Sequence, residues 1–126
     1  MINVAILGAG IGREHLAAFR ELRDRFRVVA VVDQDLARIE EIRGGDEFAA
    51  YNDIAQALSD PNVAVVDICL PPPLHSEVTL EALNAGKHVI CEKPLATSLA
   101  DVDLISKTAR RSDRQVFPVF QYRWGP

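Results

Sequence analysis

Three glycines and an aspartate form the first set of residues whose types and spacing indicate chemistry. Gly8, Gly10 and Gly12, with Ile11 between the last two, follow a short apolar run and open a segment of helical pattern. Glycines at such a turn let backbone N–H groups approach a pyrophosphate at the positive end of a helix. Asp33 follows the next apolar run, where a carboxylate can bind both ribose hydroxyls of an adenosine and repel a 2′-phosphate. These residues predict a nucleotide site that prefers NAD over NADP.

The spacing of the glycines leaves two classes of nucleotide-binding protein open. The dinucleotide fingerprint is GxGxxG, whereas this chain reads GxGxG with Arg13 where the third glycine would fall. A GxGxG turn after the first strand also resembles the S-adenosylmethionine loop of methyltransferases, which likewise use an acid after the second strand. A further alternative makes Asp33 a solvated turn residue without a ligand. The choice among these must come from the second half of the chain.

Lys93 is the residue whose type and position suit a role in a reaction. It follows the apolar run 88–91, which predicts a place at the end of a strand. Removing hydride from a secondary alcohol builds alkoxide character on the oxygen, and a nearby ammonium group lowers the cost of that charge. A lysine that precedes a proline at a strand end can also be a solvated loop charge, and this alternative stays open at the level of residue pattern.

Apolar runs and helical patterns alternate along the chain, as in an α/β domain. Expected strands cover 2–7, 27–32, 47–51, 64–70, 88–91 and 116–120, and expected helices cover 12–24, 36–43, 53–59 after a cap at Asn52, 74–85, and 99–111 after a cap at Ser98. Strands joined by helices need crossover connections, so we predict one domain with a doubly wound, mainly parallel Rossmann-type sheet and helices on both faces. Its carboxyl edge would bring together Gly8, Asp33, Leu70, Pro71, Glu92 and Lys93.

The segment from Asp67 to Pro94 distinguishes the nucleotide-binding classes. It reads DICLPPPLHSEVTLEALNAGKHVICEKP and combines a proline-rich loop containing a histidine, a helix, the motif AGKHV and the motif EKP. This combination resembles the N-terminal NAD-binding domain of the Gfo/Idh/MocA oxidoreductase family (glucose–fructose oxidoreductase, inositol dehydrogenase and rhizopine catabolism), and methyltransferases lack it. The resemblance runs from Val4 to Arg123. It implies NAD(P)-dependent hydride transfer at a hydroxyl of a sugar, cyclitol or polyol.

The same resemblance implies roles for individual residues. Family members usually show GxGxxGxxH, so the loop that ends at His15 is one residue short. Lys93 would act at the substrate hydroxyl, and its peptide bond to Pro94 would be cis. Glu92 would orient this loop or hold Lys93, and His75 would line the nicotinamide pocket or serve as a loop cap. Cofactor-binding residues are then completed by Leu70, Pro71 and Pro72, whereas His15 and His88 are expected to pack.

Catalysis in this family also draws on an aspartate and a histidine of a second α/β domain. The resemblance implies that residues 1–120 form the dinucleotide-binding domain and that residues 121–126 begin the linker to a substrate domain that the chain lacks. We therefore expect NAD binding but little or no dehydrogenase activity from the chain alone, with a polyhydroxylated substrate bound only when a second domain is present. A non-catalytic nucleotide-binding or regulatory module is the alternative.

Composition excludes several other classes. The 126 residues carry a formal net charge of −4, which argues against a nucleic-acid partner. Cys69 and Cys91 lie in apolar runs without a CxxC or His/Cys cluster, so we expect free thiols, no metal site and a reducing cytoplasm. The apolar start is too short for a membrane span. Four aromatic residues in the last ten predict a homo-oligomer formed through this end: Phe117, Phe120, Tyr122 and Trp124.

Overall fold

The computed structural model describes residues 1–120 and shows six strands that alternate with five helices. The strands are β1 (Ile2–Leu7), β2 (Phe26–Val32), β3 (Ala49–Tyr51), β4 (Val65–Ile68), β5 (His88–Cys91) and β6 (Val116–Pro118). The helices are α1 (Gly12–Glu21), α2 (Leu36–Arg43), α3 (Ile54–Leu58), α4 (His75–Asn84) and α5 (Leu99–Ser112), and a single 3₁₀ turn at Pro72–Leu74 precedes α4.

The strands form one sheet in the order β3-β2-β1-β4-β5-β6, and every neighbouring pair is parallel. The chain moves outward from β1 to β3 on one side, then returns to the middle and moves outward from β4 to β6. This confirms the doubly wound Rossmann-type sheet predicted from the sequence. The winding reverses between β1 and β4, and in such sheets ligands bind outside the carboxyl ends of the strands at that point.

Helices cover both faces of the sheet, so the side chains of residues 4–7 of β1 are buried on both sides. Alternate residues of this strand point to opposite faces. Leu7 belongs to a buried cluster with Leu83 of α4, whereas Ile6 belongs to a second cluster with Leu16 of α1 and Ile39 of α2. Because both faces are buried there, residues 4–7 of β1 are apolar without alternation. Within residues 1–120, no helix is long and apolar enough to cross a membrane.

Helix ends show where local sequence signals were sufficient and where they were not. Asp53, rather than the predicted Asn52, caps α3, because its extended backbone lets its carboxylate accept from the N–H of Ala55 at 2.9 Å while Gln56 completes a capping box. Ser98 caps α5 as predicted. The first helix ends at Glu21 instead of residue 24, because the chain turns through residues 22–25 to enter β2.

Candidate functional site

The turn after β1 requires glycine at two positions because other backbone and side-chain atoms approach it closely. Gly8 has a φ of +103°, and a Cβ there would lie 2.5 Å from the carbonyl oxygen of Cys69, which follows β4. A Cβ on Gly12 would lie 2.7 Å from Cγ2 of Ile6, so this glycine lets α1 pack directly on β1. In this way the short GxGxG loop performs the two packing functions of a dinucleotide-binding turn.

The N-terminus of α1 presents free hydrogen-bond donors to the crevice. Within residues 1–120, the backbone N–H groups of Gly10, Ile11 and Gly12 have no acceptor. The first N–H groups of a helix lack intrahelical partners and carry the positive end of the helix dipole, which favours an anion such as a pyrophosphate. The residues that the sequence assigned to the pyrophosphate are therefore available to bind it.

Asp33 is held at the carboxyl end of β2 by backbone donors on two sides. Its Oδ2 accepts from the N–H of Ala9 at 3.0 Å, and its Oδ1 accepts from the N–H of Asp35 at 2.9 Å. These bonds fix the carboxylate beside the glycine turn and leave it further acceptor capacity for ribose hydroxyls. Nη1 of Arg38, on the first turn of α2, lies 3.7 Å from Oδ2 of Asp33 and forms a loose ion pair with it.

An open cleft of about 750 Å³ extends from the glycine turn across the carboxyl ends of β2 and β4. Seven of the predicted cofactor-binding residues line it: Gly8, Gly10, Ile11, Asp33, Leu70, Pro71 and Pro72. Sequence reasoning missed other lining residues, including Arg38, Asn52, Asp53 and Ile54. Only their place in the chain could have indicated them. Asn52, Asp53 and Ile54 directly follow β3, and Arg38 lies on the helix that follows β2, and the carboxyl ends of both strands lie at this edge of the sheet. The cleft has the position and size expected for the adenosine half of a dinucleotide.

His75 lies beneath the cleft and its side chain is almost fully buried. Its Nδ1 is 2.7 Å from the carbonyl oxygen of Pro94, and its Nε2 is 2.6 Å from the carbonyl oxygen of Leu70. Carbonyl oxygens only accept, so both contacts are hydrogen bonds when each ring nitrogen carries a proton. His75 thereby links the segment after β5 to the segment after β4. Its ring does not line the cleft described above.

Glu92 is joined to α1 through His15. The ring of His15 lies between two carboxylates, with Nδ1 2.7 Å from Oδ2 of Asp67 on β4 and Nε2 2.6 Å from Oε1 of Glu92. A neutral imidazole has one N–H and cannot donate to both carboxylates, so this arrangement requires the doubly protonated ring. The hydrogen bond to Asp67 and the neighbouring charges outweigh partial burial and raise the pKa of His15 to about 9.

Lys93 follows Glu92 on the same edge of the sheet, and its side chain is exposed. Within residues 1–120, its ammonium group has no hydrogen-bond or ion-pair partner. The Lys93–Pro94 peptide bond is cis, as the sequence resemblance implied. Glu92, Lys93, His75 and Gly12 are the predicted site residues that lie outside the lining of the cleft, next to it or beneath it.

His15, Asp67 and Cys69 form a polar cluster whose side chains are hydrogen-bonded to one another. His15, Asp67 and Cys69 bring a nitrogen, an oxygen and a sulfur atom within 4.8 Å of one another. Ligands about 2.1 Å from a tetrahedral metal would lie about 3.4 Å apart, whereas the His15 and Asp67 atoms are 2.7 Å apart. Burial and the carboxylate of Asp67 also raise the pKa of the Cys69 thiol. We therefore assign no metal to this cluster.

Comparison with known proteins identifies the family. Residues 2–120 match the Gfo/Idh/MocA sequence model, described as an oxidoreductase family with an NAD-binding Rossmann fold. The chain belongs to the Gfo/Idh/MocA family. As an NAD-binding Rossmann domain of this family, it carries a glycine turn one residue shorter than GxGxxG.

Two relatives described as inositol dehydrogenases are about three times as long as this Gfo/Idh/MocA chain. The inositol 2-dehydrogenase of Streptomyces avermitilis is 35% identical over 121 residues, which is 94% of this chain and 35% of the relative. The myo-inositol 2-dehydrogenase of Thermotoga maritima is 32% identical over 126 residues, which is 98% of this chain and 37% of the relative. The chain thus spans about a third of the length of these relatives.

Solved structures that resemble this chain are also about three times as long as it is. The WlbA dehydrogenase of Chromobacterium violaceum, crystallised with NADH and UDP-GlcNAcA, is similar with a TM-score of 0.90 and 28% identity, covering 97% of this chain and 36% of that one. An NAD-binding oxidoreductase of Klebsiella pneumoniae is similar with a TM-score of 0.89 and 34% identity, covering 99% of this chain and 36% of that one. Both the fold and the family predicted from the sequence are confirmed.

Proposed function

We propose that this Gfo/Idh/MocA chain is the NAD(H)-binding domain of a dehydrogenase that oxidises a secondary hydroxyl of a sugar, cyclitol or polyol. The observation that carries the proposal is the convergence of three unpaired N–H groups at the start of α1 with the fixed carboxylate of Asp33 on one cleft. A dinucleotide offers a pyrophosphate and a ribose diol with matching spacing and chemistry. The descriptions of the inositol dehydrogenase relatives support the substrate class.

Preference for NAD over NADP follows from the charge beside the ribose. Asp33 is mostly buried and fixed by two backbone donors, so it cannot turn away from a 2′-phosphate. Arg38 is already engaged with Oδ2 of Asp33 and offsets only part of the repulsion. We propose that NADH binds at least about tenfold more tightly than NADPH, a difference of about 1.4 kcal/mol.

Lys93 is the proposed catalytic residue. Its free ammonium group stands at the carboxyl edge of the sheet, where the nicotinamide half of the cofactor would reach past β4 toward β5. Bound NAD⁺ would accept the hydride, and the hydroxyl proton would pass to a base of the substrate domain. The ammonium group of Lys93 would donate a hydrogen bond to the substrate oxygen and stabilise the negative charge that develops there.

The proposed turnover also draws on an aspartate and a histidine of a second α/β domain, as the family resemblance implies. We propose that residues 1–120 form the dinucleotide-binding domain, that residues 121–126 begin the connection to a substrate domain, and that the chain alone binds cofactor without oxidising alcohols. Phe117 and Phe120 are about half exposed and support association of copies through this end, whereas Tyr122 and Trp124 lie outside the described residues. The free thiols Cys69 and Cys91 support a reducing, cytoplasmic location.

Isothermal titration calorimetry of the chain with NADH, NADPH and S-adenosylmethionine tests this function. The expected order is NADH bound most tightly, NADPH more weakly and S-adenosylmethionine not detectably. Binding of S-adenosylmethionine alone would instead support the methyltransferase-like alternative. If NADH binds but an inositol remains unoxidised after a family substrate domain is joined to the chain, the non-catalytic regulatory module becomes the better description.

A further inference from the structure

Two histidines from different helices hold the residues on either side of Lys93. We propose that His15 and His75 are positioning residues, which fix Lys93 by binding Glu92 before it and Pro94 after it. The inference rests on the proposed function, in which Lys93 acts at the substrate oxygen. Neither histidine would touch substrate, because each ring is already engaged on both sides by protein atoms.

The first bridge connects the Lys93 segment to the pyrophosphate helix. His15 lies on α1, one turn from the N–H groups that face the cleft, and its doubly protonated ring binds the buried carboxylate of Asp67 and the carboxylate of Glu92. Asp67 anchors the ring to the centre of the sheet, because it lies on β4 and is inaccessible to solvent. A charge-assisted bond on each side makes the bridge stronger than one between neutral groups.

The second bridge connects the Lys93 segment to the loop that lines the cleft. His75 begins α4 and is buried, and its ring spans the carbonyl oxygens of Leu70 and Pro94. Leu70 lines the cleft, so a cofactor that contacts this loop also contacts a residue bound by His75.

These two bridges leave the lysine itself free. Oε1 of Glu92 lies 2.6 Å from Nε2 of His15, and the carbonyl oxygen of Pro94 lies 2.7 Å from Nδ1 of His75. The ammonium group of Lys93 between them has no partner among residues 1–120. A side chain that must meet a hydroxyl in one geometry gains from a backbone that is held in advance. The bridges also start from the two elements that contact the cofactor, so the cofactor site and the lysine share one hydrogen-bond network.

The third histidine of the chain provides a matched control. Nδ1 of His88 accepts from the backbone N–H of Gln115 at 3.0 Å, at the start of β5 and away from the carboxyl edge. Replacing it also removes an imidazole and one hydrogen bond to backbone, but it leaves the Lys93 segment untouched.

Backbone ¹⁵N relaxation of the cofactor-free chain is the direct test. We expect an order parameter of about 0.85 at the Lys93 amide in the wild type and a value below about 0.6 in Glu92→Ala and in His75→Gln. Glu92→Ala removes the first bridge while keeping the pair of His15 with Asp67, so it should fold. Glu92→Gln keeps an acceptor for His15 and should restore most of the order, and His88→Gln should leave the value unchanged.

A measurement on the wild type covers the case in which His75→Gln fails to fold. Ring N–H protons of His15 and His75 should exchange slowly enough with water to be detected by NMR at pH 7, because His75 is buried, the side chain of His15 is only 17% exposed, and both rings are hydrogen-bonded. Rapid exchange at either ring, or a Lys93 order parameter in Glu92→Ala equal to that of the wild type, would overturn the proposal. Absence of NADH binding would instead refute the proposed function, since none of these measurements requires cofactor.

Discussion

Raising the pH from 6.5 to 9 should weaken the fold, chiefly because His15 loses its proton. The two carboxylates raise its pKa from 6.5 to about 9, and one pKa unit corresponds to about 1.4 kcal/mol, so the charged ring stabilises the folded chain by about 3 kcal/mol. Because the folded-state pKa is the higher one, this contribution is complete below pH 6.5 and is lost as the pH approaches and passes 9. The free energy of unfolding should therefore fall by up to about 1.4 kcal/mol per pH unit between these values.

Urea unfolding followed by circular dichroism at pH 6, 7, 8 and 9 measures this slope. The control is His15→Gln, whose side chain still donates to Asp67 but does not titrate, so its stability should change little with pH over the same interval. The raised pKa values of Cys69 and Cys91 act in the same direction as His15 once thiols of the unfolded chain ionise, but they act equally in both proteins. Equal slopes in the wild type and in His15→Gln would refute the reasoning.

Four further changes have definite expected outcomes. Asp33→Ala should raise the calorimetric Kd for NADH at least tenfold, because it removes a charged acceptor worth about 1.5–3 kcal/mol; an unchanged Kd contradicts the ribose assignment. Gly8→Ala should lower the free energy of unfolding by more than about 1 kcal/mol in urea titrations, because it adds a Cβ at a positive φ and only 2.5 Å from a carbonyl oxygen. Lys93→Met should leave the Kd for NADH within about twofold and abolish turnover once a substrate domain is joined; a large loss of affinity with retained turnover argues against its role. Phe117→Ser with Phe120→Ser should convert an oligomer to a monomer in light scattering, and a wild type that is monomeric at high concentration contradicts the association.

Local sequence signals were sufficient for the sheet because each strand carries its own evidence. The buried strand β1 is a continuous apolar run that ends at Gly8, and β2 is a β-branched run that ends at Asp33. The exact start of α3 could not be predicted from these signals. Asn52 and Asp53 are both good cap residues, and only the extended backbone at Asp53 decided between them.

The part of the site that the sequence did not predict depends on contacts between distant residues. Asp67 is a single polar residue within an apolar run, which gives no indication of its partner. That partner, His15, is 52 residues away in the chain. His75 similarly meets Pro94 over 19 residues. Arg38 gave no signal beyond its place on α2, because its relation to Asp33 depends on how α2 packs beside β2. Periodicity reports which side of an element is buried, but it does not report which polar side chains meet there.

Both outer strands of the sheet are only three residues long, and this limits how copies of the chain can associate. An exposed outer strand can recruit a strand from another molecule through its unpaired N–H and C=O groups. β3 and β6 offer few such groups, and Pro118 of β6 has no N–H to donate. Continuous sheets running from one molecule into the next are therefore disfavoured at both margins. Within the described residues 1–120, side-chain surfaces are therefore the better basis for an association of copies.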